Sequence, residues 1–341
     1  MGAEWIILAG AWLDLPAAGW SYRRVRLLPE IVPAPMPSIS LIVPTRGRTW
    51  QIGRLLDSLA AQTRSDFEVI VVDQNPGPIL ERPLARRADP FALRHVHRPA
   101  DKGISLARNV GWRLAAAEVL LFPDDDSWYP PDFLARGLDR MTALATDVLT
   151  GRSTDEVGRS INGRFSSRNG PITRHSVWVM QQEWITFVRR PLMERLGGYD
   201  ESIGIGGATP WQAAEGPDLI LRAIAAGAVC RYEPSLTAFH EEHAVRRPDA
   251  AFLAKSRGYN RGKGYVLRKH SRSALPLLYW LARPLGGALL SALSGDAARA
   301  RFFANMALGR WEGWRGRPAG AVTQPGGLNG PVPPAPPAGG G

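Results

Sequence analysis

The sequence predicts an α/β fold, a mixed, mostly parallel sheet flanked by helices, continued by a basic C-terminal helical region. Three observations carry this. Short apolar β-rich runs alternate with segments of helical periodicity between Ser38 and Phe122. Two of those runs end in carboxylates, Asp73 and the triplet Asp124-Asp125-Asp126. And the 13 Lys and Arg from Lys255 to Arg317, against the two acids Asp296 and Glu312, equal the whole net charge of +11.

Trp5–Leu13 is apolar, but Glu4 adjoins it and no basic residue precedes it. It reads as an extra strand or helix rather than a secretory signal. Three prolines in Ile31–Pro37 mark a linker. Ser38–Pro44 then reads as a buried parallel strand. Thr49–Gln62 is a helix, with Ile52, Leu55, Leu56 and Leu59 at helical spacing. Phe67–Asp73 and Leu93–His97 are strands. Gly103–Ala116 is a helix with Leu106, Val110 and Leu114 on one stripe, and Glu118–Phe122 is a strand running into the aspartates. In such sheets ligands bind outside the carboxyl ends of the strands, where Asp73 and Asp124–Asp126 both fall.

From Asp147 to Arg174 the pattern dissolves into Gly, Ser, Arg and Asn, a mobile surface region. Regularity returns with a strand at Glu183–Val188, a helix at Pro217–Ala226 opened by proline, and a closing strand at Val229–Tyr232. The Pro/Gly-rich segment Pro318–Gly341 is expected to be disordered. At 341 residues the chain holds one large domain with appendages or two modest ones. Its single cysteine, Cys230, excludes an internal disulfide framework and a Cys-rich zinc site, and fits a reducing cytoplasm.

Three adjacent aspartates after a buried strand form a cluster of like charge in which each raises its neighbours' pKa. A divalent cation with hard oxygen ligands, Mg²⁺ or Mn²⁺, compensates them, and such an ion can neutralise a departing diphosphate. Taken alone, the triplet reads equally well as a solvated acidic turn before a helix near Pro130–Arg140.

Four segments decide between these readings: Pro44-Thr-Arg-Gly-Arg48, Val71-Val-Asp-Gln74, Gly103-Ile-Ser-Leu-Ala-Arg-Asn-Val-Gly111 and Phe122-Pro-Asp-Asp-Asp126. In this order and spacing they resemble the family 2 glycosyltransferases, inverting enzymes of the GT-A (Rossmann-like) fold, over roughly residues 38–245. The resemblance implies an N-terminal extension at 1–37, a GT-A domain at 38–250, a basic and apolar helical region at 251–317, and a tail at 318–341. It places Pro44, Thr45 and Arg46 beside the nucleoside and Asp73 on the base or ribose. Lys102, Arg108 and Asn109 would approach the nucleotide or its phosphates. Asp124 and Asp126 match the outer acids of the family's Asp-x-Asp motif, with Asp124 and Asp125 toward the donor and Asp126 the metal ligand. Gln74 stands where the family often carries a second acid.

Inverting transfer needs a carboxylate to take the proton of the attacking hydroxyl. Glu215-Gly-Pro-Asp-Leu-Ile-Leu-Arg222 resembles the family's Glu-Asp-x-Asp-Leu-x-x-Arg segment, whose second acid serves as base; here that position is Gly216. Glu215 and Asp218 remain as candidates. Glu215, standing before the helix, is preferred over Asp218, whose first-turn position also serves the helix dipole. Gly204–Trp211 would form the acceptor-side loop. Trp211 and Trp184 offer flat faces to a sugar or are simply buried. His240 or His243 could complete the metal shell, with His240 favoured.

Lys255–Arg272 interleaves aromatics with positive charge, which suits nucleic acid or an anionic membrane surface. The apolar stretch 274–294 follows at once and favours the membrane. Arg283 and Pro284 interrupt it after about ten apolar residues, too few to span. It reads as an interfacial helix or as a helical subdomain packed on the core. The chain is therefore expected to use a nucleotide-sugar donor, a UDP-sugar by family frequency, and a glycan or lipid-linked acceptor. It would work in the cytoplasm, peripheral at the inner membrane face, in polysaccharide or glycolipid assembly. The rival readings are a non-catalytic nucleotide- or polyanion-binding protein on a degenerate transferase fold, and a nucleotidyltransferase. The latter is disfavoured by the single glycine in Thr45–Arg48.

Overall fold

The computed structural model describes residues 36–242 and 248–317, all in the unit Met36–Gly341. Trp5–Leu13, most of the proline-rich linker, His243 and the tail lie outside the described residues. Strands β1 (Ile39–Thr45), β2 (Phe67–Asp73), β3 (Ala92–His97) and β4 (Val119–Leu121) run parallel in the order β3-β2-β1-β4. The sheet continues through β5 (Ser127–Trp128), β6 (Val148–Thr154), β7 (Gly170–Pro171), β8 (Phe187–Arg189) and β9 (Cys230–His240). Its order is β3-β2-β1-β4-β8-β6-β9-β5, with β7 on β9. β8 is antiparallel to both β4 and β6, and β9 is parallel to β6. The sheet is thus mixed and mostly parallel, as expected.

Strand β1 is buried on both faces because each face meets helices. Ile39, Leu41 and Val43 join a core with α1 (Trp50–Ala60), with Leu84 of the short α2 (Glu81–Ala85), and with Phe133, Leu134 and Met141 farther along the chain. Ile42 points the other way, toward α3 (Ile104–Leu114). Helix α4 (Phe133–Ala143) covers the first face; α5 (Arg190–Leu196) and α6 (Glu215–Ala225) cover the second. Each large aliphatic side chain buried in these layers contributes about 1.5–3 kcal/mol.

Two expectations are corrected here. The stretch from Asp147 does not dissolve into surface chain: it opens with β6, buried at six of seven positions. Gly151 hides that strand in the sequence, because it sits at a bulge against β9 where a Cβ would collide with the Leu236 carbonyl. In α3 the buried face is not Leu106-Val110-Leu114 but Ser105, Ala107, Arg108, Asn109, Gly111 and Trp112. Gly111 lets the helix lie against Ile42, whose Cγ2 a Cβ would strike. This close approach buries Arg108 and Asn109, which a hydrophobic stripe cannot anticipate.

The C-terminal region is helical, as expected, and forms α7 (Ala250–Lys269), α8 (Leu275–Leu293) and α9 (Ala297–Arg315). Arg257 and Arg261 on α7 both pair with buried Glu312 on α9. Among the described residues no helix is long and apolar enough to cross a membrane.

Candidate active site

Parallel β1, β2 and β4 end at one edge of the sheet, and the crossovers bring the N-termini of α3 and α6 to the same edge. Because β8 opposes β4 in the register Leu121↔Phe187, the residues just before Phe187 lie beside those just after Leu121. β9 ends there too, with His240 paired to Ser127. One edge therefore collects Asp124–Asp126, Arg108, Glu215, His240 and Glu183.

Within the triplet the three carboxylates differ in environment. Asp125 turns back toward β1: Thr45 Oγ1 donates to its Oδ2 at 2.6 Å, and Arg48 bonds its Oδ1. Arg48 also reaches Asp126 Oδ2 at 2.8 Å. Asp124 Oδ1 accepts from Arg108 Nη2 at 3.1 Å, and Asp126 Oδ1 lies 3.0 Å from His240 Nε2. Asp124, Asp126 and His240 each offer a ligand atom within 4.8 Å of the others.

This trio fits a divalent cation. Two hard carboxylates and an imidazole suit Mn²⁺ or Mg²⁺, the nitrogen favouring Mn²⁺. His240 Nδ1 meets the Glu241 carbonyl at 2.9 Å, so that nitrogen carries the hydrogen and Nε2 faces the carboxylates. Burial lowers the pKa of His240, but the hydrogen bond and charge of Asp126 outweigh it and raise it to about 9. Burial raises Asp124 as well, with Asp126 adding to the rise and Arg108 opposing it.

Behind the triplet, Arg108 (1% exposed) is the hub. Its Nη1 donates to Glu215 Oε1 at 3.2 Å. Burial and the neighbouring Glu215 push the Glu183 carboxyl above the usual carboxylate range, with Arg108 opposing. Three carboxylates thus share one guanidinium. Glu215 does not precede its helix, as the sequence reading had it, but is the first residue of α6, entered through Ala214 at φ 78°. Pro217, lacking an N–H, is accommodated in that first turn.

Other expected site residues stand elsewhere or are already bonded. Asp73 ends β2 with no exposed surface; Asn75 donates to one of its oxygens through backbone and side chain, and His95 Nε2 lies 3.0 Å from the other. Asn109 holds the turn after α5 rather than the cluster: it donates to Tyr199 O and Glu201 Oε1 and accepts from Tyr199 N and Trp112 Nε1. Pro44 is buried in β1, whereas Arg46 and Lys102 are exposed. Asp218, 0% exposed, meets Arg222, Lys269 and His270 at 2.7–2.9 Å, a link from α6 to the end of α7. Burial works to raise its pKa, yet the His270 and Lys269 hydrogen bonds hold it at about 2. A carboxylate so strongly held is a weak base. Trp184 is buried beside His240, and Trp211 stacks on Tyr265 of α7 at 4.8 Å; neither presents an open face.

The sequence assigned no role to Arg48 or Glu183, and placed Lys255 only in a basic block facing nucleic acid or a membrane. Lys255, on α7, is near enough that Arg48 and Asp126 both act on it, burial lowering its pKa most. Part of the basic C-terminal block therefore faces this edge. By contrast, a hollow of ≈ 640 Å³ between Met36, Glu118 and Arg189 lies at the opposite end of β1 and β4 and gathers no comparable cluster.

Comparison with known proteins agrees with this architecture. The sequence model of glycosyl transferase family 2 matches residues 40–209. The pre-mycofactocin glycosyltransferase of Mycobacterium tuberculosis is 24% identical over 268 residues, 74% of this chain and 51% of that protein. The O-antigen biosynthesis protein RfbC of Myxococcus xanthus is 29% identical over 249 residues, 63% of this chain and 18% of that protein. This chain spans about half or less of the length of these curated relatives. The mannosyltransferase PcManGT of Pyrobaculum calidifontis, solved with GDP-Man and Mn²⁺, superposes at TM-score 0.58 and 18% identity, covering 82% of this chain and 88% of that one. At that identity the likeness is one of fold.

Proposed function

The chain belongs to glycosyl transferase family 2, and we propose that it is an inverting enzyme moving a sugar from a nucleotide-diphosphate sugar to a hydroxyl acceptor. The observation that carries this is the Asp124-Asp126-His240 trio beside the Arg108–Glu215 pair at the ligand-binding edge. Asp124, Asp126 and His240 would hold Mn²⁺ or Mg²⁺, which supplies charge neutralisation for the leaving diphosphate. Arg48 and Lys255 add positive charge near the same carboxylates. Thr45 and Arg48 fix the Asp125 end of the loop, so Asp124 and Asp126 are oriented before substrate arrives. A UDP-sugar is the first donor to test, with GDP-mannose beside it because PcManGT was solved with that ligand. The name of the Myxococcus relative, an O-antigen biosynthesis protein, favours surface-polysaccharide assembly as the setting.

The test is release of nucleoside diphosphate from UDP-glucose, UDP-GlcNAc, GDP-mannose and dTDP-rhamnose, with Mn²⁺, with Mg²⁺ and with chelator. The reading expects cleavage of at least one donor, abolished by chelation and restored by metal. Cleavage indifferent to chelator contradicts the metal assignment. Nucleotide binding with no cleavage of any donor favours a binding protein instead.

Membrane contact is the second part of the proposal. Leu278, Leu285, Leu289 and Leu293 lie along one side of α8 and are 53–77% exposed. A basic hollow lined by Arg268, Arg272, Arg315 and two tryptophans adjoins its start. This pairing of apolar and cationic surface suits the anionic face of a bilayer. Leu289→Asp with Leu293→Asp is expected to weaken co-sedimentation with phosphatidylglycerol vesicles by more than about tenfold. Equal sedimentation of variant and wild type would remove the membrane from the account.

A further inference from the structure

We propose that Glu183 accepts the proton of the attacking hydroxyl, its carboxylate occupying the space that a side chain at position 216 would fill. This deepens the reading of the site as a glycosyltransferase centre and rests on it. In the step, the acceptor oxygen forms a bond to the anomeric carbon. The bond from that carbon to the diphosphate oxygen breaks, its electron pair leaving on the diphosphate, and the hydroxyl proton passes to Glu183.

The placement is specific. A Cβ on Gly216 would fall on Glu183 Cγ and lie 2.5 Å from its Oε1 and 2.6 Å from its Cδ. The first turn of α6 has thus given up its side chain at the point where an acid from another segment enters. That acid is rigidly presented. Gln182, just before it, is bonded on both backbone groups: its N donates to Thr150 Oγ1 at 3.1 Å, and its O accepts from Thr186 Oγ1 at 2.6 Å. Trp184, just after it, is 2% exposed, and its carbonyl accepts from Tyr129 Oη at 2.6 Å. A surface acid has no need of neighbours pinned on both sides.

The surroundings separate Glu183 from the other acids. Asp124 belongs to the candidate metal trio, Glu215 is paired with Arg108, and Asp218 is held by Arg222, Lys269 and His270. Glu183 shares the Arg108 field with Glu215 and Asp124, with Tyr199 nearby. A carboxylate destabilised by like charge binds a proton more readily than one in a direct ion pair. Glu215 then acts as its charge neighbour.

The experiment compares donor cleavage, with water as acceptor and Mn²⁺ present, in wild type, Glu183→Gln, Glu215→Gln and the double variant Glu183→Ala/Gly216→Asp. Binding of Mn²⁺ with UDP or GDP is measured in each by calorimetry. Glu183→Gln is expected to keep nucleotide binding and lose about 10²- to 10⁴-fold in cleavage. The double variant, which returns a carboxylate to the vacated position on α6, is expected to regain part of that loss. Glu183→Gln cleaving within about twofold of wild type, where general-base loss should be far larger, overturns the proposal. So does a double variant that binds nucleotide yet stays as inactive as Glu183→Gln. Failure of the wild type to cleave any donor overturns the underlying reading instead, and the proposal falls with it.

Discussion

Asp126→Ala is expected to lower Mn²⁺-dependent donor cleavage by about three orders of magnitude, equivalent to roughly 4 kcal/mol of transition-state stabilisation. The size follows from the position of Asp126. One of its oxygens lies 3.0 Å from His240 and the other 2.8 Å from Arg48. Its removal takes one ligand from the candidate metal trio and leaves two cationic groups facing each other. His240 then loses the Asp126 hydrogen bond and charge that raise its pKa. That frees Nε2 without supplying the missing carboxylate. Calorimetry with Mn²⁺ and nucleoside diphosphate should show weakened metal binding alongside the kinetic loss. Unchanged kcat/KM in the variant would mean that the ion, if used, is bound elsewhere.

Arg108→Met is expected to destabilise the folded protein by about 3–5 kcal/mol, the cost of breaking a buried ion pair from one side. Arg108 is 1% exposed and serves Asp124 and Glu215 through separate nitrogens, with Glu183 in the same field. Methionine fills much of the volume and leaves three carboxylates without their shared cation. The pKa values of Asp124 and Glu183, already raised by burial, then rise further. The penalty is fully present when they are ionised and shrinks as pH falls toward about 4, where the unfolded carboxyls also protonate. Urea unfolding of wild type and variant at neutral and acidic pH measures both the deficit and its shrinkage. A deficit under about 1 kcal/mol at neutral pH, the scale of a surface pair, would remove Arg108 from the centre of the site.

The parts of the fold that the sequence disclosed are those where periodicity and burial coincide. β2 was bounded at both ends, Phe67 to Asp73, because its apolar residues, interrupted only by Glu68, leave no other place to sit. β6 was hidden because its tight approach to β9 uses a glycine at a bulge. The buried face of α3 was misplaced because a polar, functional face was packed inward on Gly111. The aspartate triplet was legible from its position after a strand taken together with the family resemblance. His240 was singled out too, although the closing strand, read as Val229–Tyr232, runs on to end at His240 itself. Arg48 and Lys255 were not, since nothing in their spacing announces which charge they will meet. Glu183 was the least visible. Its neighbour in space is Gly216, 33 positions away, and an empty position in a helix carries no sign of what fills it.

The most direct test of the central claim is a structure with Mn²⁺ and a nucleoside diphosphate bound. The account predicts the ion against Asp124, Asp126 and His240, with the diphosphate on the Arg48 and Lys255 side. Nucleotide bound at another edge of the sheet, or Mn²⁺ absent from this trio while the nucleotide is held, would contradict it.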